Sequence, residues 1–453
     1  MPCWPPRAAS ATRGPDPGPA YNRGLSTRRT FLAGAVAAAG ASRAIAANDK
    51  VQVGVIGCGA RSHELMRHLL TTGGAEITAV CDAYQGRMER AVDRVGGRAS
   101  KVNDYRQILN DKSIDAVVIA TPDHWHKTMV MNAIAAGKDV YCEKPLTFRS
   151  AEGLEVIRAA KAAGKIVQVG SQVCSSAIQQ EARGMIQSGR LGKVTMIRAA
   201  YSRNTVSGAW IYPIPPDASL KTLNWDMFQG PAEKRPFSLE RFFRWRCFSE
   251  YSGGIATDLF VHLCTTIHFL MDAKAPSKVM AMGQLYLRKD RDVPDTLNAI
   301  LEYPDGFVVN LSSTFNNQIS GEGSFQILGT EASLELASDL TFLPERKWDD
   351  NKWIVESWPK PLEEAYWKDP QVIATEIAPK KVKPQPATHI KPPVEDMTVP
   401  HLRGWLESLH TRKGHWEDAT VGHRAAACAH MVNKSVKEGR MVEWDFARDD
   451  IKG

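Results

Sequence analysis

Three side chains in this sequence have the types and settings for acid–base work. Asp258 and His262 lie four residues apart in the stretch 255–271, which is apolar with helical period after the break Gly253-Gly254. That spacing puts both on one helix face. A carboxylate beside an imidazole fixes its tautomer and stabilises its charged form, which suits a general base near neutral pH. Lys144 stands between Glu143 and Pro145, just past the apolar run 140–142. A lysine there can orient a substrate hydroxyl and stabilise the oxyanion left when its proton departs. A cis bond at Lys144–Pro145 fits such a turn. Arg244, Trp245 and Tyr251 belong to a cationic–aromatic cluster whose ring faces and donors suit a sugar ring, with ordinary packing an equal alternative.

A second group of residues has the pattern for holding a dinucleotide. Gly57-Cys58-Gly59-Ala60-Arg61-Ser62 is G-x-G-x-x-G with serine in the third position. It follows a strand-like run, opens a helical one, and has Asp82 at the end of the next strand-like run, 25 residues after Gly57. In that context Gly57 allows the tight turn, and Gly59 lets backbone N–H groups reach a pyrophosphate at a helix N-terminus. Asp82 suits the adenosine ribose and disfavours a 2′-phosphate, so NAD is expected over NADP. Thr121, Pro122 and His126, with Glu143 and Lys144, fall at strand C-terminal ends, where such sheets bind ligands. No third ligand lies near His124 and His126, so no metal is expected.

These residues need a scaffold, and the hydrophobic pattern supplies one. Apolar runs at 51–56, 77–81, 116–120, 140–142 and 166–169 alternate with helical patterns at 63–70, 87–95, 129–136 and 151–163. Alternation of this kind predicts parallel βαβ units and a doubly wound α/β sheet. After about residue 170, strand-like stretches at 194–201, 278–287, 295–303, 307–315 and 323–328 leave little room for crossover helices. They predict an α+β second domain with an open-faced, mostly antiparallel sheet. Residues 345–400 read as a surface excursion, followed by helices at 399–409 and 419–437. The domains expected are a leader at 1–46, a Rossmann domain at 47–170 and a substrate domain at 171–453.

The 453 residues are 43% hydrophobic and 24% charged, a globular composition. The net charge is +7, but residues 1–46 hold six arginines against Asp16, so little excess remains on the body. A near-neutral body lacks the basic footprint of a nucleic-acid binder. In the leader, Arg28-Arg29 with Phe31-Leu32, an Ala/Gly-rich run and Ala44-Ile45-Ala46 resemble a twin-arginine export signal. The run is too short to span a bilayer, so a periplasmic or secreted protein is expected. Eight cysteines show no C-x-x-C or zinc spacing, and buried free thiols are expected.

Taken together, V-G-V-I-G-C-G at 53–59, V-C-D at 80–82, C-E-K-P-L at 142–146 and G-G-x-x-x-D-x-x-x-H at 253–262 resemble the Gfo/Idh/MocA family. V-P-D-T-L at 293–297 and E-W-D at 443–445 extend the likeness. The resemblance implies an N-terminal Rossmann domain, an open-faced sheet that often makes homo-oligomer contacts (a dimer or tetramer), and a Lys144/Asp258/His262 constellation that oxidises a ring hydroxyl of a sugar or polyol. The sequence departs from the family at Ser62 and at Thr265, where many members have a second acid.

Three readings follow. The first is hydride transfer between a sugar or polyol and a tightly held nicotinamide. The second is redox-neutral cleavage of a glycoside through a 3-keto intermediate, which also restores the cofactor in each cycle. The third is a catalytically silent sugar- or nucleotide-binding protein.

Overall fold

A computed structural model describes residues 50–317, 322–345, 351–378, 385–391 and 396–453. The leader read at 1–46 lies outside the described residues. The first sheet contains β1 (Val51–Ile56), β2 (Ala75–Cys81), β3 (Ser100–Lys101), β4 (Ala116–Ile119), β5 (Asp139–Glu143) and β6 (Val167–Gly170). Their order is β3-β2-β1-β4-β5-β6 and the pairings are parallel. This is the doubly wound order, in which the chain reverses direction between β1 and β4 and opens a crevice at the strand C-termini. The central strands are buried on both faces, and so read as continuous apolar runs. Helix α1 (Ala60–Thr71) follows β1, and α2 (Asp123–Ala135) follows β4.

The second sheet holds β7 (Val194–Tyr201), β8 (Lys278–Gln284), β9 (Thr296–Glu302), β10 (Val308–Thr314), β11 (Glu322–Gly329), β12 (Ala332–Leu336), β13 (Leu340–Pro344), β14 (Thr388–Ile390), β15 (Val442–Asp445) and β16 (Asp450–Ile451). The order is β14-β13-β12-β11-β7-β10-β9-β8-β15-β16. Neighbours are antiparallel except β7 and β10. In β9 the residues alternate: Leu297, Ala299 and Leu301 are buried, while Asn298, Ile300 and Glu302 face out. The inner face packs on α3 (Val261–Met271) and on α5 (Ala419–Glu438), in one core with Ile267, Leu270, Met431 and Val432.

The chain also returns to the first sheet. Helix α4 (Thr398–Thr411) places Leu402, Trp405 and Leu406 in the core shared by β1 and α1. Asp418 caps α5 by accepting from the Thr420 and Val421 N–H groups. The Val169 N–H donates to Glu417 O nearby, tying the start of α5 to β6. Within the excursion, short helices at Lys352–Val355, Lys360–Lys368 and Pro370–Val372 bury Val355 alone.

Candidate active site

A cleft of about 940 Å³ opens at the C-terminal ends of β1, β4 and β5. Its walls include Gly57, Gly59, Ala60, Arg61, Asp82, Thr121, Pro122, Glu143 and Lys144 from the first sheet's loops. Asp258 and His262 approach from the other side, with Arg246, Trp245 and Tyr212.

The nucleotide-facing half is built largely from backbone. Gly57 has φ +86°, and a Cβ there would sit 2.7 Å from the Ala120 backbone. Only glycine meets both demands without strain. A Cβ on Gly59 would meet nothing within 4 Å, so the chain there stays open. Gly59 begins α1 with no side-chain cap, leaving the first N–H groups of the helix for an anion. Asp82 anchors the turn: Oδ2 accepts from the Cys58 N–H at 2.7 Å and Oδ1 from the Tyr84 N–H at 2.9 Å. Arg61 donates from Nε to Glu143 at 3.0 Å, bridging the turn to the end of β5. An uncapped helix start, an open Gly59 and a carboxylate one strand over together fit the pyrophosphate and adenosine ribose of NAD.

The opposite half is a cluster of charges. Lys144 Nζ donates to Asp258 Oδ1 at 2.9 Å and to the Asp258 carbonyl at 2.7 Å. Arg246 Nε donates to the same Oδ1 at 2.9 Å. Burial alone pushes the Asp258 carboxyl up, but Lys144 and Arg246 outweigh it and hold the group far below the usual carboxylate range. Burial and the Lys144 charge drive His262 well below the usual imidazole range, so it is neutral at pH 7. Asp123, at the start of α2, accepts from Thr257 Oγ1 at 3.3 Å. Desolvation pushes its carboxyl up to about 7, although Lys144 pulls the other way.

The relation expected between Asp258 and His262 is different in the structure. Residues Ala256–Phe260 wind as a π-helix before α3 begins. Asp258 spends its carboxylate on Lys144 and Arg246, and His262 Nδ1 is buried without a hydrogen-bond partner. Two full positive charges outcompete a neutral ring for one carboxylate. Asp258 therefore acts on His262 through its field rather than by holding a tautomer.

Four residues read as site residues face elsewhere. Ser62, in the first turn of α1, is fully buried. His126 makes hydrogen bonds with the Thr121 and Pro145 carbonyls, at 2.9 and 2.6 Å, so it pins the two cofactor loops together. Arg244 Nε donates to the Tyr212 carbonyl at 3.0 Å. Tyr251 is fully buried, its ring 4.9 Å from Phe228 and 5.1 Å from His124. Trp245 does line the cleft, and the Arg246 guanidinium lies over its ring at 4.2 Å. The Lys144–Pro145 bond is cis.

Arg246 and Asp123 are the residues that sequence reasoning passed over. Arg246 sits in a 3-10 turn, Trp245–Cys247, two residues after Arg244. Nothing in the run of arginines and aromatics marks which arginine turns inward. Asp123 had a usable signal: an acid at the first helical position directly after a buried strand.

Residues 51–171 match the oxidoreductase family profile for an NAD-binding Rossmann fold, and residues 223–335 match the GFO/IDH/MocA C-terminal domain. The inositol 2-dehydrogenase of Salmonella paratyphi B is 33% identical over 159 residues, 34% of this chain and 47% of that protein. The 1,5-anhydro-D-fructose reductase of Ensifer adhaerens is 24% identical over 281 residues, 62% of this chain and 74% of that protein. The chain thus spans about half the length of the inositol dehydrogenases it matches. A levoglucosan dehydrogenase, solved with NADH and levoglucosan, has the same fold with TM-score 0.65 at 16% identity, over 87% of this chain and 99% of that one. With its Rossmann cradle and its second sheet each matched by a family profile, the chain belongs to the Gfo/Idh/MocA oxidoreductases.

Proposed function

We propose that this protein passes hydride between NAD and a secondary ring hydroxyl of a sugar or polyol. The observation that carries the reading is the Lys144 ammonium, held by Asp258 near His262 across a cleft from an open dinucleotide cradle. Bound NAD supplies the hydride acceptor. Lys144 has three N–H donors and spends two on Asp258, so the third is left for the substrate oxygen. His262, kept neutral by burial and by Lys144, takes the hydroxyl proton. Lys144 then stabilises the developing alkoxide. Asp258 holds Lys144 in place, and Arg246 braces the same carboxylate oxygen.

The relatives named above act on inositol and anhydrofructose, and the structural neighbour was solved with levoglucosan. All are polyhydroxylated rings, which favours a cyclic polyol or sugar here. The resemblance of Arg28-Arg29 with Phe31-Leu32 to a twin-arginine signal favours export of the folded protein and, with it, a cofactor that is retained and restored within each cycle. A homo-oligomer built on the open sheet belongs to the same proposal.

The test is to purify the protein without added nucleotide, denature it and identify what is released by mass. The same preparation, supplied with NAD, is then assayed with myo-inositol, levoglucosan and glucose for NADH absorbance. NAD release or binding, with NADH formed on at least one ring polyol, supports the reading. A protein that neither holds nor binds NAD sinks it, as does one that reduces NAD with none of the three.

A further inference from the structure

We propose that Cys264 and Cys428 are a cross-linking site: the two thiols close to a disulfide that staples α3 to α5. Cys264 lies on α3, two residues after His262, and Cys428 is near the middle of α5. Their sulfurs are 3.0 Å apart, and both side chains are fully enclosed. The two helices touch in the main core, to which Ile267, Leu270, Ala425 and Met431 also belong. The other described cysteines are also buried, and Cys58, Cys142 and Cys174 give their hydrogen bonds to oxygen rather than to sulfur.

Closure is a two-step thiol–disulfide exchange with a disulfide-class oxidant. One cysteine thiolate attacks the oxidant's S–S bond, forms a mixed disulfide and expels one thiol. The second cysteine sulfur attacks the first, forms the Cys264–Cys428 bond and expels the second thiol. The two cysteine protons end on the two released thiols, and the oxidant is reduced by two electrons. The hydrogen bond with Cys428, and then burial, push the Cys264 thiol well above its usual range, so the closed core resists attack. Exchange therefore runs while α3 and α5 are apart, during folding or in a transient opening. Once made, the bond joins residues 164 positions apart in sequence. It fixes the helix that carries His262 to the C-terminal helix.

The experiment is to unfold the full-length protein and refold it in a buffer of reduced and oxidised glutathione. It is then quenched by alkylation under denaturing conditions and its peptides are mapped. The expected product is a peptide pair joined through Cys264 and Cys428, two hydrogens lighter than the reduced pair and absent after reductant. In the linked protein, reductant is expected to lower Tm; in Cys428→Ser it leaves Tm where it was. Recovery of both cysteines alkylated overturns the proposal. So does either one joined to glutathione or to a third cysteine, and so does a linked pair whose reduction leaves Tm unmoved.

Discussion

The two walls of the cleft achieve the same rigidity by opposite means. The nucleotide-facing wall is held by backbone: a left-handed Gly57, an open Gly59 and a carboxylate fixed by two peptide N–H groups. The opposite wall is held by side-chain charges, with Lys144 and Arg246 on one oxygen of Asp258 and Asp123 close behind. A backbone wall depends on steric fit and tolerates changes of pH. A charge wall depends on which protons are present, and its charges move the pKa values of Asp258, His262 and Asp123. The first suits an invariant ligand; the second suits chemistry that moves a proton.

Breaking this wall at the proposed base, His262, has the largest expected effect. His262→Ala should cut kcat by roughly 10²–10⁴-fold and leave NAD affinity near the parent value. Loss of NAD binding instead, seen by fluorescence titration, means that the two walls are not separable. The acid limb of the kcat/KM profile should also fall below pH 6.5, because burial and Lys144 depress His262.

Asp123 sharpens the contrast through pH. Its carboxyl is raised to about 7 in the fold, while the unfolded value is ordinary. Between those values the folded state holds a proton that the unfolded state lacks, so stability falls as pH rises through that window. Asp123→Asn removes this loss. Its stability relative to the parent should rise by about 2–4 kcal/mol from pH 4 to pH 8. Parallel denaturation curves at both pH values contradict the picture.

Gly57→Ala probes the backbone wall. A Cβ 2.7 Å from the Ala120 backbone at φ +86° should cost about 1–3 kcal/mol of stability. It should also weaken NAD binding without shifting the pH profile. The smallest effect is expected at Arg246→Met, where kcat should fall about ten-fold, equivalent to about 1.4 kcal/mol of lost positioning. The acid limb should move as well, since Asp258 loses one of its two cations. An unchanged profile reduces Arg246 to packing against Trp245.

Much of this was legible before the fold was known, and the reasons are physical. The buried parallel strands are continuous apolar runs, and β1 was read with its observed bounds. Gly57, Gly59 and Asp82 are constrained by a turn that few other residues satisfy. Helix starts were less visible: α2 begins at Asp123 rather than near 129, because its first turn is polar and aromatic and shows no apolar period. The two-residue strand β3 and the short helix Tyr105–Asn110 fall below the length at which periodicity speaks. The π-turn at Ala256–Phe260 has no compositional mark. The spacing of Asp258 and His262 therefore predicted their shared location and not their bonding. Tyr251 misled because an aromatic ring in a cationic run carries the same letters whether it faces a sugar or a core.

The ends of the large sheet carry one more consequence. Among the described residues the larger sheet is open, with ten strands and two edges, each a template on which another chain can add strands. Here one edge is the three-residue β14 and the other the two-residue β16. Neither offers enough ladder for a foreign strand to register. Long strands are confined to the interior of the sheet, and the tapered margins should make runaway edge-to-edge polymerisation unfavourable at the concentrations at which such a protein accumulates.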